Sequence, residues 1–235
     1  MQKLKSYLAV LAFGALLTPV SAQVDYDKLG GWYMYFFDAT FSKGPWGVQG
    51  DIQYRNWNVM GDLEQLLVRG GVTYSPKNAN VKLTLGYGNI TTGEYGDGTA
   101  TVNESRVYQE ALFPSKIGSR IYINHRLRYE QRWVENQDFR TRYRYNLFVN
   151  IPLNRATIDP KTVYFSFYNE IFINGQEEIG EGREVPIFDR NRTYLALGYK
   201  ISKSSKVQAG WMHQVTNNGA KNQLQFSLHQ KFGGN

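Results

Sequence analysis

The 235-residue sequence contains no cysteine and only 3 histidines. Without cysteine there is no thiol to carry a lipid anchor behind a leader, no disulfide framework and no thiolate metal site. No histidines are paired at metal-ligand spacing, so no metal is implied. No glycine-rich phosphate loop is present, and so no cofactor is implied. Past the first twenty residues no apolar run reaches the roughly 18 residues of a membrane helix, so a chain that enters a bilayer must do so as strands. A concentrated basic block is also missing. The 27 Lys and Arg against 20 Asp and Glu give a net +7 spread along the chain, unlike the patch that holds nucleic acid.

What is present begins with Lys3 and Lys5, then the apolar stretch Leu8 to Leu17, then Thr18-Pro19-Val20-Ser21-Ala22. A positive segment, a short apolar segment and small residues before a cut make a secretory signal peptide. Residues 1–22 are therefore expected to be removed and 23–235 to form one domain. Losing Lys3 and Lys5 lowers the formal charge from +7 to +5.

From Trp32 onward side chains alternate with period two, as on a strand with two unlike faces. In the clearest case Ile121, Ile123, Leu127, Tyr129 and Trp133 share one face, while Arg126, Arg128, Glu130 and Arg132 share the other. Eleven segments read this way. Short turns at 75–80, 114–119 and 202–205 are interleaved with longer polar loops at 91–104 and 174–189, which suggests a barrel with a short-loop and a long-loop end. The expected fold is all-β, a single up-and-down antiparallel transmembrane β-barrel. Because bacterial barrels with both ends in the periplasm have an even strand number, the expected count is about ten or twelve.

Alternation also fits a soluble, lipocalin-like ligand-binding barrel in the periplasm, with its apolar face inside. Strand length, loop asymmetry and aromatic residues such as Tyr87, Trp133, Tyr199, Trp211 and Phe232 near strand ends favour the inverted arrangement, in the outer membrane. Its partners there would be membrane lipid and lipopolysaccharide. The charged face then lines the lumen with Arg55, Arg69, Arg106, Glu110, Arg126, Arg128, Glu130, Arg132, Arg142, Arg144, Glu170, Arg190 and Arg192. Such charges must pair in a narrow interior. They form either a structural network that fills the barrel or, because arginine is in surplus, a narrow path for small anionic solutes. A lipid-acting hydrolase would need a serine, a histidine base and an orienting acid. No serine of matching phase and height stands out beside His125, His213 or His229, and the chain is not expected to be an enzyme.

Four stretches carry a resemblance: Arg106-Val107-Tyr108-Gln109-Glu110; Leu127-Arg128-Tyr129-Glu130-Gln131-Arg132-Trp133; Tyr168-Asn169-Glu170-Ile171-Phe172; and Phe188-Asp189-Arg190-Asn191-Arg192 followed by Tyr194. In order and spacing the chain resembles the DUF2490 family of uncharacterised proteins. The resemblance implies an outer-membrane β-barrel without an established activity. It also nominates Arg106, Glu110, Arg128, Glu130, Arg132, Glu170, Arg190 and Arg192 as the shared polar set.

Overall fold

In the computed structural model eleven strands among the described residues close on themselves. Residues 27–41 and 44–233 are described, so the expected signal peptide lies outside the described residues. The strands are β1 Gly30–Thr40, β2 Trp46–Asn56, β3 Leu63–Tyr74, β4 Lys82–Gly93, β5 Thr101–Ile117 and β6 Ile121–Val134, followed by β7 Arg140–Pro152, β8 Val163–Asn174, β9 Phe188–Lys200, β10 Ser205–Thr216 and β11 Gly219–Phe232.

The count of eleven corrects the expected ten or twelve. Each strand pairs antiparallel with its successor, and an odd number then leaves β1 and β11 running in the same direction. They pair in parallel, with Tyr33 opposite Phe226 and Phe37 opposite Gln230. The parity rule assumed an antiparallel closure, whereas this barrel removes its two edges with one parallel seam. The Tyr33 and Phe226 rings stack across it at 5.7 Å.

Because the chain has no cysteine, this closure can be tested by crosslinking. The pairs Tyr33→Cys with Phe226→Cys and Phe37→Cys with Gln230→Cys should each form a disulfide on mild oxidation. An antiparallel closure allows only one of the two pairs, so a single crosslinking pair would overturn the parallel seam.

The expected loop asymmetry is also corrected. The end where β11 finishes carries the connections 41–45, 75–81, 118–120, 153–162 and 201–204, and the opposite end carries 57–62, 94–100, 135–139, 175–187 and 217–218. Long and short connections occur at both. The loop expected at 91–104 shrinks because Thr91, Thr92, Thr101 and Val102, all good strand formers, extend the β4–β5 ladder to Gly93 and Thr101.

The two faces are sharply divided. Ile52, Val68, Leu85, Leu127, Leu197 and Phe226 point outward and are exposed, while the buried residues include many arginines and acids. This is the reverse of a lipocalin-like interior. The inner wall is smoothed by glycine at two places. Gly86 lies beneath the Tyr108 ring and Gly198 beneath Tyr164, where a Cβ would sit 2.2 and 2.1 Å from ring carbons.

Candidate functional site: the charged lumen

All thirteen sequence-selected residues lie on the inward phase of their strands, and the structure divides them between two regions. Toward the end where β1 begins, a lattice of guanidinium and carboxylate groups from β5, β6, β7 and β9 projects into the lumen. Glu130 is fully buried. It accepts hydrogen bonds from Arg142 Nε and Nη2 at 2.9 and 2.6 Å and from Arg144 Nη1 at 2.6 Å, and Arg128 Nη1 lies 3.7 Å away. Glu104 holds Arg106 and Arg132 together, accepting from each Nε at 2.5 Å and each Nη2 at 2.7 and 3.0 Å. Asp189 accepts from Arg142 Nη1 at 2.8 Å and from Arg190 Nη2 at 2.9 Å. Forked, charge-assisted bonds of this kind are the strong ones. The Phe172 ring stiffens the lattice, with the guanidinium carbons of Arg142, Arg144 and Arg192 lying 5.2, 4.4 and 4.8 Å from its centroid.

Midway along the barrel the pairs continue. Glu170 accepts from Arg126 and Arg144, Glu110 from Arg128 and Gln49, and Asp51 from Arg69. Below them, toward the end where β11 finishes, the lumen opens into a cavity of about 520 Å³. Arg55, Arg69, Glu110, Arg126, Arg128, Arg144, Glu170 and Arg192 line it. Glu104, Arg106, Glu130, Arg132, Arg142 and Arg190 do not. The cavity therefore has the lattice behind it, and its lining reaches Ile158 and Ser204 in the connections at the β11 end.

Sequence reasoning missed four acids, among them Asp38, which keeps the inward phase of Trp32 and pairs with Lys82. Glu104 and Asp189 were assigned to loops, and Glu64, which accepts from Trp32 Nε1 at 2.9 Å, was not singled out. Glu104 keeps the phase of Arg106, two residues on, which was a readable signal. Glu64 and Asp189 had none. The β2–β3 register passes from Arg55 opposite Gln65 to Asn56 opposite Leu63, and the β8–β9 register from Phe172 opposite Arg190 to Ile173 opposite Phe188. Each skipped residue is the extra member of a bulge, where period two breaks down and a side chain is re-aimed.

Also missed was Ser227, whose Oγ lies 3.0 Å from His229 Nε2 inside the cavity. The imidazole stacks on Phe36 at 4.7 Å. Among the described residues no side chain bonds its Nδ1, so the orienting third member of a hydrolase triad is not in place.

A protein-family comparison matches residues 29–225 to the family described as "Protein of unknown function (DUF2490)". No curated protein and no solved structure matches.

Proposed function

The chain belongs to the DUF2490 family, whose description names no activity, and we propose that it is a bacterial outer-membrane barrel whose lumen does not conduct. Its surroundings on this reading are membrane lipid and lipopolysaccharide. What supports the address is the outer skin: water-soluble proteins rarely leave large contiguous apolar surfaces uncovered, and here leucine, valine, isoleucine and aromatic side chains stand exposed around the wall. Several polar residues on that face bond one another, as a lipid environment favours. Asn169 donates to Asn191 and Thr193 at 2.9 Å, His213 bonds Asn222 at 2.9 Å, and Tyr87 bonds Ser105 at 2.9 Å.

The observation that carries the closed lumen is Glu130, fully buried between Arg142 and Arg144. An ion following the axis would have to break these bonds in a poorly hydrated interior, where a lost partner costs several kcal/mol, of order 3–5. The arginine surplus then serves a blind cavity rather than a through path. We assign the barrel no reaction.

Planar-bilayer recording of the refolded mature protein tests this reading. Correctly inserted protein should give no steady current above the leak of the bare bilayer. A steady, anion-selective current would overturn the closed lumen and restore the channel.

A further inference from the structure

The cavity carries far more positive than negative charge. Ten Lys and Arg line it against four Asp and Glu. Each of those acids is taken: Asp38 by Lys82, Asp51 by Arg69, Glu110 by Arg128, and Glu170 by Arg126 and Arg144. Arg192 sits opposite Glu170 in the β8–β9 ladder, yet Glu170 turns to the other two arginines. Arg192 is left with no carboxylate within 4 Å among the described residues. Its Nε donates to Gln214 Oε1 at 2.8 Å. Among the described residues its two Nη atoms donate to nothing, although the residue is only 7% exposed, and neither of them is sealed from water.

Arg55 stands beside it in a similar position. It is 5% exposed, among the described residues its nitrogens reach only Gln53 and Gln65, and Asp51 is already taken. The Trp32 ring lies against both groups, with the guanidinium carbon of Arg55 3.7 Å and that of Arg192 4.8 Å from its centroid. Two buried guanidinium groups held within reach of one indole repel each other, and Glu64 near Arg55 and Glu170 near Arg192 offset this only from beyond ion-pair distance, so the pair stays costly until an anion arrives.

We infer that the cavity floor is a binding site for the oxyanion of an organic anion, a carboxylate or phosphate monoester. The free Nη pair of Arg192 forms the fork that accepts it, Arg55 supplies the second charge, and the buried Trp32 ring holds both guanidinium groups in place. At the cavity mouth Lys206, likewise without a carboxylate partner among the described residues, draws the anion inward. The inference rests on the closed-lumen reading only in that the cavity has a floor. The two fail separately, since an open pore shows as current and a missing site as absent binding.

The test is calorimetric titration of the full mature chain, refolded in zwitterionic detergent, with phenyl phosphate and with benzoate as probes. At least one should bind, and Arg192→Gln should weaken it at least tenfold. Gln214→Glu is the second variant. It places a carboxylate beside Arg192 Nε, where Gln214 already bonds, so it neutralises the Arg192 charge without removing the side chain, and it should weaken binding by a similar factor. Lys206→Gln should weaken it about twofold to threefold. Failure of both probes to bind, or unchanged affinity in the folded Gln214→Glu protein, would overturn the site.

Discussion

Replacing Glu104 with alanine should destabilise the barrel by about 3–5 kcal/mol, the range for removing one partner from a buried ion pair. It should cost more than Glu130→Ala, although Glu130 is the more deeply buried and touches more arginines. The difference lies in what each arginine keeps. Without Glu130, Arg142 still holds Asp189, Arg144 still holds Glu170 and Arg128 still holds Glu110. Without Glu104, Arg106 and Arg132, each 6% exposed, keep no carboxylate within 4 Å among the described residues, and they face each other across the β5–β6 ladder. Two uncompensated guanidinium groups then share one wall of a narrow interior.

Urea unfolding of the vesicle-inserted protein measures the two losses side by side. A loss under about 1 kcal/mol for Glu104→Ala would mean that water reaches this end of the lumen and screens it. The combined variant Glu104→Leu, Arg106→Met, Arg132→Met should recover most of the loss, since replacing a whole buried ionic cluster with apolar groups is often neutral. Recovery would assign the lattice a role in filling and closing the lumen rather than in holding the barrel together.

What the sequence made legible follows from the pleat. Alternation from Trp32 onward placed Arg126, Arg128, Glu130 and Arg132 on one face and Leu127, Tyr129 and Trp133 on the other, because neighbouring side chains of a strand must diverge. The same logic found eleven segments. It was a rule about chain ends, not the pattern itself, that pushed the count to an even number. Bulges were illegible because one inserted residue resets the phase, and Glu64 and Asp189 entered the lumen that way. Partner choice was illegible for a different reason. Nothing local tells Glu170 to take Arg126 and Arg144 rather than Arg192 opposite it, because that depends on side chains reaching across the barrel from β6 and β7. The division into a lattice and a cavity depends on those choices, so the sequence could nominate the charges but not the cavity.

The outward face permits an equally large test of where the barrel resides. Leu197 is 60% exposed and pairs with Phe165 on one side and Ala209 on the other, within the apolar part of the wall. In water, exchanging so exposed a leucine for arginine changes stability by no more than about 0.5 kcal/mol. Facing the middle of a bilayer, the same exchange costs about 2–4 kcal/mol. Leu197→Arg should therefore destabilise the vesicle-inserted barrel by about 2–4 kcal/mol, while Met60→Arg, in the 57–62 connection and 80% exposed, should cost next to nothing. Asn191 shares the outward face of β9 but lies among Asn169 and Thr193, in the polar band toward the end where β1 begins. Asn191→Arg should accordingly cost only about 0–1 kcal/mol, as near a membrane interface. A graded loss along one strand face is the signature of hydrocarbon thickness. Equal, negligible losses at Leu197 and Asn191 would place that face in water and leave the exposed apolar skin to be covered by another protein surface.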